Sequence, residues 1–115
     1  MNIRLRIRRM RIAWLAVGSL LLPAALAAAD EVADGDTLYK TKTCIACHGP
    51  DAKTPLLPEY PKLAGQNAEY ALRQMNDIKS GARSNGNTAA MKGVMHLVND
   101  EEMKTLSEYL SSLTP

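Results

Sequence analysis

The sequence predicts an all-α fold, with three main helices and long loops wrapped around one covalently bound cofactor. Three observations predict it. Apolar residues recur at helical spacing in two stretches, Ala68 to Ile78 and Met103 to Leu113, each preceded by an asparagine suited to capping. No run alternates apolar and polar residues as a strand does. The third observation is Cys44-Ile45-Ala46-Cys47-His48, two thiols followed at once by an imidazole, which is the attachment pattern of a c-type haem.

The chemistry requires each part of that motif. Each thiol adds across a haem vinyl group as a thioether. The two-residue gap lets one turn of backbone reach both vinyls, and the adjacent histidine lies under the iron as its proximal ligand. Other uses of the cysteines fit less well. A redox dithiol wants a preceding strand and a βαβ context, and the flanking residues carry no strand signal. A structural zinc needs four ligands, but the chain has two cysteines and two histidines, with His96 far downstream. A disulfide across two residues would be strained.

The first 29 residues read as a cleaved secretory signal peptide. Five arginines precede Arg11 or stand at it, Ile12 to Leu22 is apolar, and small residues follow Pro23 with the Ala-x-Ala spacing of a cleavage site. The competing reading is an uncleaved anchor, but Ile12 to Ala29 is short for a span of ~20 residues and is interrupted by Gly18 and Pro23. Arg8-Arg9 resembles a twin-arginine signal only weakly. Residues 30–115 then form one small domain. From Asp30 onward nine lysines and arginines face twelve carboxylates, a net charge of −3, although the whole chain is +2. The basic excess belongs to the leader, so nothing suggests nucleic-acid binding. The domain has no phenylalanine, and Trp14 lies in the leader. An embedded haem would supply the missing core volume.

Within the domain, Asp34 to Thr43 reads as a short helix capped by Asp34, with Leu38 and Tyr39 as its apolar positions. Gly49-Pro50-Asp51 ends helix after the motif. The prolines at 55, 58 and 61 keep Asp51 to Tyr60 a loop. The second main helix starts at Asn67 and stops near Gly81, with Ala68, Ala71, Leu72, Met75 and Ile78 on one face. Gly81 to Thr88 is polar, with an Asn85-Gly86 turn. The last helix begins after Asn99, where Asn99 and Glu102 approach a capping box, and buries Met103, Leu106, Leu110 and Leu113 with Tyr109 beside them. Loops this long need something to order them, and a covalent haem would.

The second axial ligand decides the function, because an open iron binds gases or peroxide and a doubly ligated one carries electrons. Met/His ligation is an electron-transfer pairing. Met75 and Met103 fall on helix stripes and read as core. Met91, Met95 and His96 remain. The residues favour Met91, expected to project inward from irregular backbone after the polar loop, with Met95 and a bis-histidine haem through His96 still open. Surface packing is the preferred role for His96.

Four pieces in this order resemble the class I cytochromes c, in particular the small periplasmic bacterial domains found singly and as halves of soluble two-haem cytochromes. They are Gly35-Asp36-Thr37-Leu38-Tyr39, the Cys44 to His48 motif, Pro61-Lys62-Leu63-Ala64-Gly65-Gln66, and Leu106-Ser107-Glu108-Tyr109-Leu110. The resemblance covers essentially Asp34 to Leu113 and implies the class I fold. It also implies that Gly35 lets the first helix cross the last near Leu106 and Tyr109. The Pro61 carbonyl would accept a hydrogen bond from His48 Nδ1, and Met91 would be the axial methionine. Gln66, Tyr70, Gln74 and Arg83 become candidates to hold the haem propionates. The loop before Met91 lacks the apolar and proline content of many relatives.

The function so implied is electron transfer, not enzymatic catalysis. The expected protein is a soluble periplasmic carrier, monomeric or a subunit of a redox complex, passing one electron between membrane or periplasmic redox proteins. Its one haem c is held by Cys44 and Cys47 and ligated by His48 and Met91. Ile45, Ala90 and Val94 are expected near the exposed haem edge, with Lys53 and Lys92 available for orienting contacts. The alternative is a haem subunit of a periplasmic dehydrogenase, such as a flavoprotein that oxidises sulfide.

Overall fold

The structure is a computed structural model that describes residues 31–115, so the expected leader lies outside the described residues. Five α-helices follow in chain order: α1 (Gly35–Thr41), α2 (Cys44–His48), α3 (Ala68–Ser80), α4 (Thr88–Met95) and α5 (Asp100–Ser112). No strand occurs among the described residues. The three expected helices are present as α1, α3 and α5, and α2 and α4 join them.

The caps explain where the three main helices start. Asp34 Oδ1 accepts from the Thr37 amide at 3.0 Å, and Asn67 Oδ1 accepts from the Tyr70 amide at 2.9 Å. At α5 the reciprocal box is complete: the Glu102 amide donates to Asn99 Oδ1 at 2.8 Å, and the Asn99 amide donates to Glu102 Oε2 at 3.0 Å. Gly81 closes α3 in the left-handed conformation.

Three expectations need correction. The helix beginning after Asp34 does not run on to Thr43. It ends at Thr41, and Thr43 sits at φ 67°, which turns the chain so that the motif forms its own helix. The segment around Met91 is not irregular but the helix α4, which lies inside the long connection expected between Gly81 and Asn99. Leu113, expected in the α5 stripe, is the extended residue just past the helix and only partly buried.

α5 is the central element, packed against α1 on one side and α3 on another, while α4 packs on α3. The crossing of α1 and α5 requires glycine. A Cβ on Gly35 would stand 2.2 Å from Tyr109 Cβ, far inside any real contact. Leu38, Tyr39, Val98, Met103 and Leu106 are at most 2% exposed around this crossing and the α5 stripe. Burying each such side chain contributes about 1.5–3 kcal/mol. Met75, Met95 and Met103 are all buried, so adaptable thioethers fill space that aromatic rings occupy in other cores.

Candidate functional site

The wall of one cavity of about 540 Å³ is built by all five helices, with α1 contributing Tyr39, and by residues of the loops before α3 and before α4. That is the size of a site for a sizeable cofactor. All nine residues expected to touch the cofactor line it: Cys44, Cys47, His48, Pro61, Gln66, Tyr70, Gln74, Arg83 and Met91.

His48 is the most constrained of them. Its side chain is buried, and Nδ1 lies 2.9 Å from the Pro61 carbonyl. A carbonyl only accepts, so Nδ1 carries the proton and the Nε2 lone pair is left for a metal. Burial holds the imidazole below its usual pKa, with the Pro61 contact acting against it, which also favours the neutral ligand form. The loop presenting Pro61 is tied back to the motif. The Leu56 amide donates to the Cys47 carbonyl at 2.9 Å, and the Leu63 and Ala64 amides both donate to the Ala52 carbonyl, at 2.8 and 3.1 Å. Asp51 Oδ1 accepts from the Lys53 and Thr54 amides, each at 2.8 Å. Gly49 permits this return: at φ 85°, a Cβ there would meet the Thr54 carbonyl oxygen at 2.0 Å.

The cysteines do not have the setting of a redox dithiol. Cys44 is buried, and burial pushes its thiol up to about 11. A reactive dithiol needs its thiol pKa lowered, so the environment suits an anchor. Cys47 is exposed at the motif's other end.

Across the motif the methionines divide. Met91 is half-buried in the cavity wall and packs against the edge of the core; Met95, one turn on, is wholly buried within the core and also lines the cavity. Met103 does not line it, and His96 is exposed at the C-terminal cap of α4, away from the wall.

Among the polar residues, Arg83 Nη1 donates to Gln74 Oε1 at 2.9 Å, so both stand together in the wall and Gln74 is not a freely solvated residue. Gln66 Oε1 accepts from the Asn67 amide at 3.0 Å, and Tyr70 is nearly half exposed at the rim. Ala90 and Val94 reach the cavity, but Ile45, Lys53 and Lys92 do not. Ile45 packs against the core instead.

Two contacts had no signal in the sequence. Asn87 Nδ2 donates to Glu59 Oε1 at 3.1 Å, joining the loop on the His48 side to the start of α4. Tyr39, read as an apolar helix position, lines the cavity and donates its hydroxyl to the Gly49 carbonyl at 2.7 Å. Only the tyrosine hydroxyl itself hinted at a partner.

The family model for cytochrome c matches residues 32–114. The chain belongs to the cytochrome c family. It is 39% identical over 98 residues to cytochrome c4 of Pseudomonas aeruginosa, a match covering 82% of this chain and 46% of that protein. It is 38% identical over 73 residues to cytochrome c-554(548) of Halomonas halodenitrificans, covering 64% of this chain and 87% of the relative. The crystal structure of reduced recombinant cytochrome c4 from Pseudomonas stutzeri superposes with a TM-score of 0.62 at 32% identity, covering 70% of this chain and 46% of that one. The chain therefore spans about half the length of the cytochromes c4 it matches. Class I fold and family agree with the reading of the four sequence pieces.

Membership of the cytochrome c family implies a covalently bound haem c, and the residues present fit one. The cavity combines two thiols at the attachment spacing, a neutral imidazole with a free Nε2, a thioether on another helix, and an otherwise largely apolar wall with Arg83 and Gln74 at one side.

Proposed function

We propose that this protein is an exported periplasmic electron carrier in which His48 and Met91 are the axial ligands of a single haem c. The observation that carries the proposal is the hydrogen bond from His48 Nδ1 to the Pro61 carbonyl, made in the same cavity wall that holds the Met91 thioether. A bound haem c supplies a one-electron couple at iron. Cys44 and Cys47 hold it covalently and take no redox part. His48 offers Nε2, fixed in direction by Pro61, and Met91 offers a soft thioether that raises the potential. The apolar wall excludes water and keeps reorganisation small. Arg83, oriented by its bond to Gln74, would balance propionate charge, with Gln66 and Tyr70 as lesser polar neighbours. Ala90 and Val94, which line the cavity, would border the haem edge that faces partners.

Export rests on the leader pattern of residues 1–29, with residues 30–115 as the mature domain. No helix among the described residues is long and apolar enough to cross a membrane. Donor and acceptor are taken to be membrane or periplasmic redox proteins. A second reading, a haem subunit serving a periplasmic dehydrogenase, draws support from a 33% identical relative in Stutzerimonas stutzeri named a thiosulfate dehydrogenase electron acceptor.

The absorption spectrum of the oxidised holoprotein tests the ligation. A weak far-red band marks a methionine–ferric bond. It is expected in the native protein and in Met95→Ala, and absent from Met91→Ala. A native protein without the band, or a Met91→Ala variant that keeps it, overturns the assignment. Copurification with a flavoprotein would favour the second reading.

A further inference from the structure

The connector between α4 and α5 is held by two lysines from opposite sides of the domain. Lys42, at the end of α1 and two residues before the motif, donates Nζ to the Leu97 carbonyl at 2.8 Å and pairs with Glu102 Oε1 at 3.1 Å. Lys79, in the last turn of α3, donates Nζ to the Val98 carbonyl at 2.5 Å and lies 3.7 Å from Asp100 Oδ1. The amides of Leu97 and Val98 are already used, donating to the carbonyls of Val94 and Met95 at 2.9 and 3.2 Å. The lysines thus satisfy the two carbonyls that the helix ends leave over. Both side chains are largely shielded, at 25% and 29% exposed, so these bonds are screened less than ordinary surface pairs.

The start of α4 is tied by the exposed bond from Asn87 to Glu59 and by the Thr88 hydroxyl donating to the Asn85 carbonyl, neither of them a charged donor. Asn87 gives it no side-chain cap bond, and its last turn runs directly into the clamped connector. We infer that Lys42 and Lys79 are positioning residues that fix α4 by its C-terminal end and so keep the Met91 thioether in the cavity wall. This rests on the ligation proposed above. Without the two ammonium groups, Leu97 and Val98 lose their partners, and α4 swings or frays with its methionine.

The test uses holoprotein carrying Lys42→Met and Lys79→Met, singly and together, so the aliphatic stems remain. Cyanide capture by the ferric protein reports how often the sixth position opens. The double variant is expected to bind cyanide about tenfold faster, because losing two charged donors raises the locally open population. Amide exchange should quicken in Lys92–Met95 and not in α3. Lys42→Arg with Lys79→Arg should restore both, since arginine donates to the same carbonyls. Unchanged cyanide capture with a lowered melting temperature would reduce the clamp to bulk stability and overturn the inference. Met91→Ala separates the two proposals. If it keeps the far-red band, the ligand assignment fails, while the α4 exchange rates still judge the clamp.

Discussion

The two sides of the cavity are secured in different ways. On the His48 side the chain returns onto itself within twenty residues, and its bonds are made to backbone: Pro61 to His48, Leu56 to Cys47, Leu63 and Ala64 to Ala52. On the Met91 side one short helix stands between a polar loop and a connector held by lysine side chains. On the proposed ligation, one ligand is held by local loop geometry and the other by long-range tethers. Local backbone bonds loosen only when the loop unfolds. Tethers made by flexible side chains open more readily. The Met91 side is therefore where exchange of ligand and adjustment of potential should occur.

The contrast can be broken first at its firm side. His48→Ala removes the cavity imidazole that the Pro61 carbonyl fixes in direction. It should abolish the low-spin haem spectrum and cut the yield of holoprotein, measured by absorbance per mole of chain. A smaller cost is expected from Gly35→Ala, whose new methyl would collide with Tyr109 Cβ and lie 3.2 Å from the Thr105 carbonyl oxygen. Overpacking of that kind costs about 1–3 kcal/mol in chemical denaturation, and it should leave the far-red band in place. Asn99→Ala removes the cap at the far end of the clamped connector and should cost about 1 kcal/mol. Its effect on α4 exchange should exceed its effect on α1. The smallest change has the opposite sign. Gly93 lies inside α4 with open space where a Cβ would stand, so Gly93→Ala should stabilise the domain by about 0.5–1 kcal/mol and slow cyanide capture. If Gly93→Ala left capture unchanged, the Met91 side would not be limited by its helix.

Much of this architecture was legible because its signals are local. Asp34, Asn67 and Asn99 cap the helices they were expected to cap, since a short acceptor side chain meets an unpaired amide three residues on. The apolar positions Met75, Ile78, Met103, Leu106 and Leu110 are buried as their spacing required. α4 was not legible. Its first turn follows an Asn85-Gly86 turn, it has no side-chain cap bond, and Gly93 weakens it, so packing on α3 must supply what propensity does not. The break at Thr43 was hidden for a related reason: a β-branched residue in left-handed conformation is set by tertiary context. In the site, the clustering of the nine expected residues follows from the motif and its resemblance. The Glu59–Asn87 bridge joins side chains 28 positions apart and leaves no mark in either neighbourhood.

The crossing of α1 and α5 also bears on how the chain finds its fold. Tyr109 donates its hydroxyl to Asp36 Oδ1 at 3.1 Å across a separation of 73 residues, beside the Gly35 contact. Closing a loop of that length costs about 4 kcal/mol of chain entropy before the constant term, so this pairing is a late reward in a search begun by α3 and its neighbours. The same contact brings Asp36, near the start of the described residues, against Tyr109, near their end. A permuted protein, with those ends joined by a short linker and new termini opened at the exposed turn of Asn85 and Gly86, would make the pairing local. It should fold faster with nearly the same native stability.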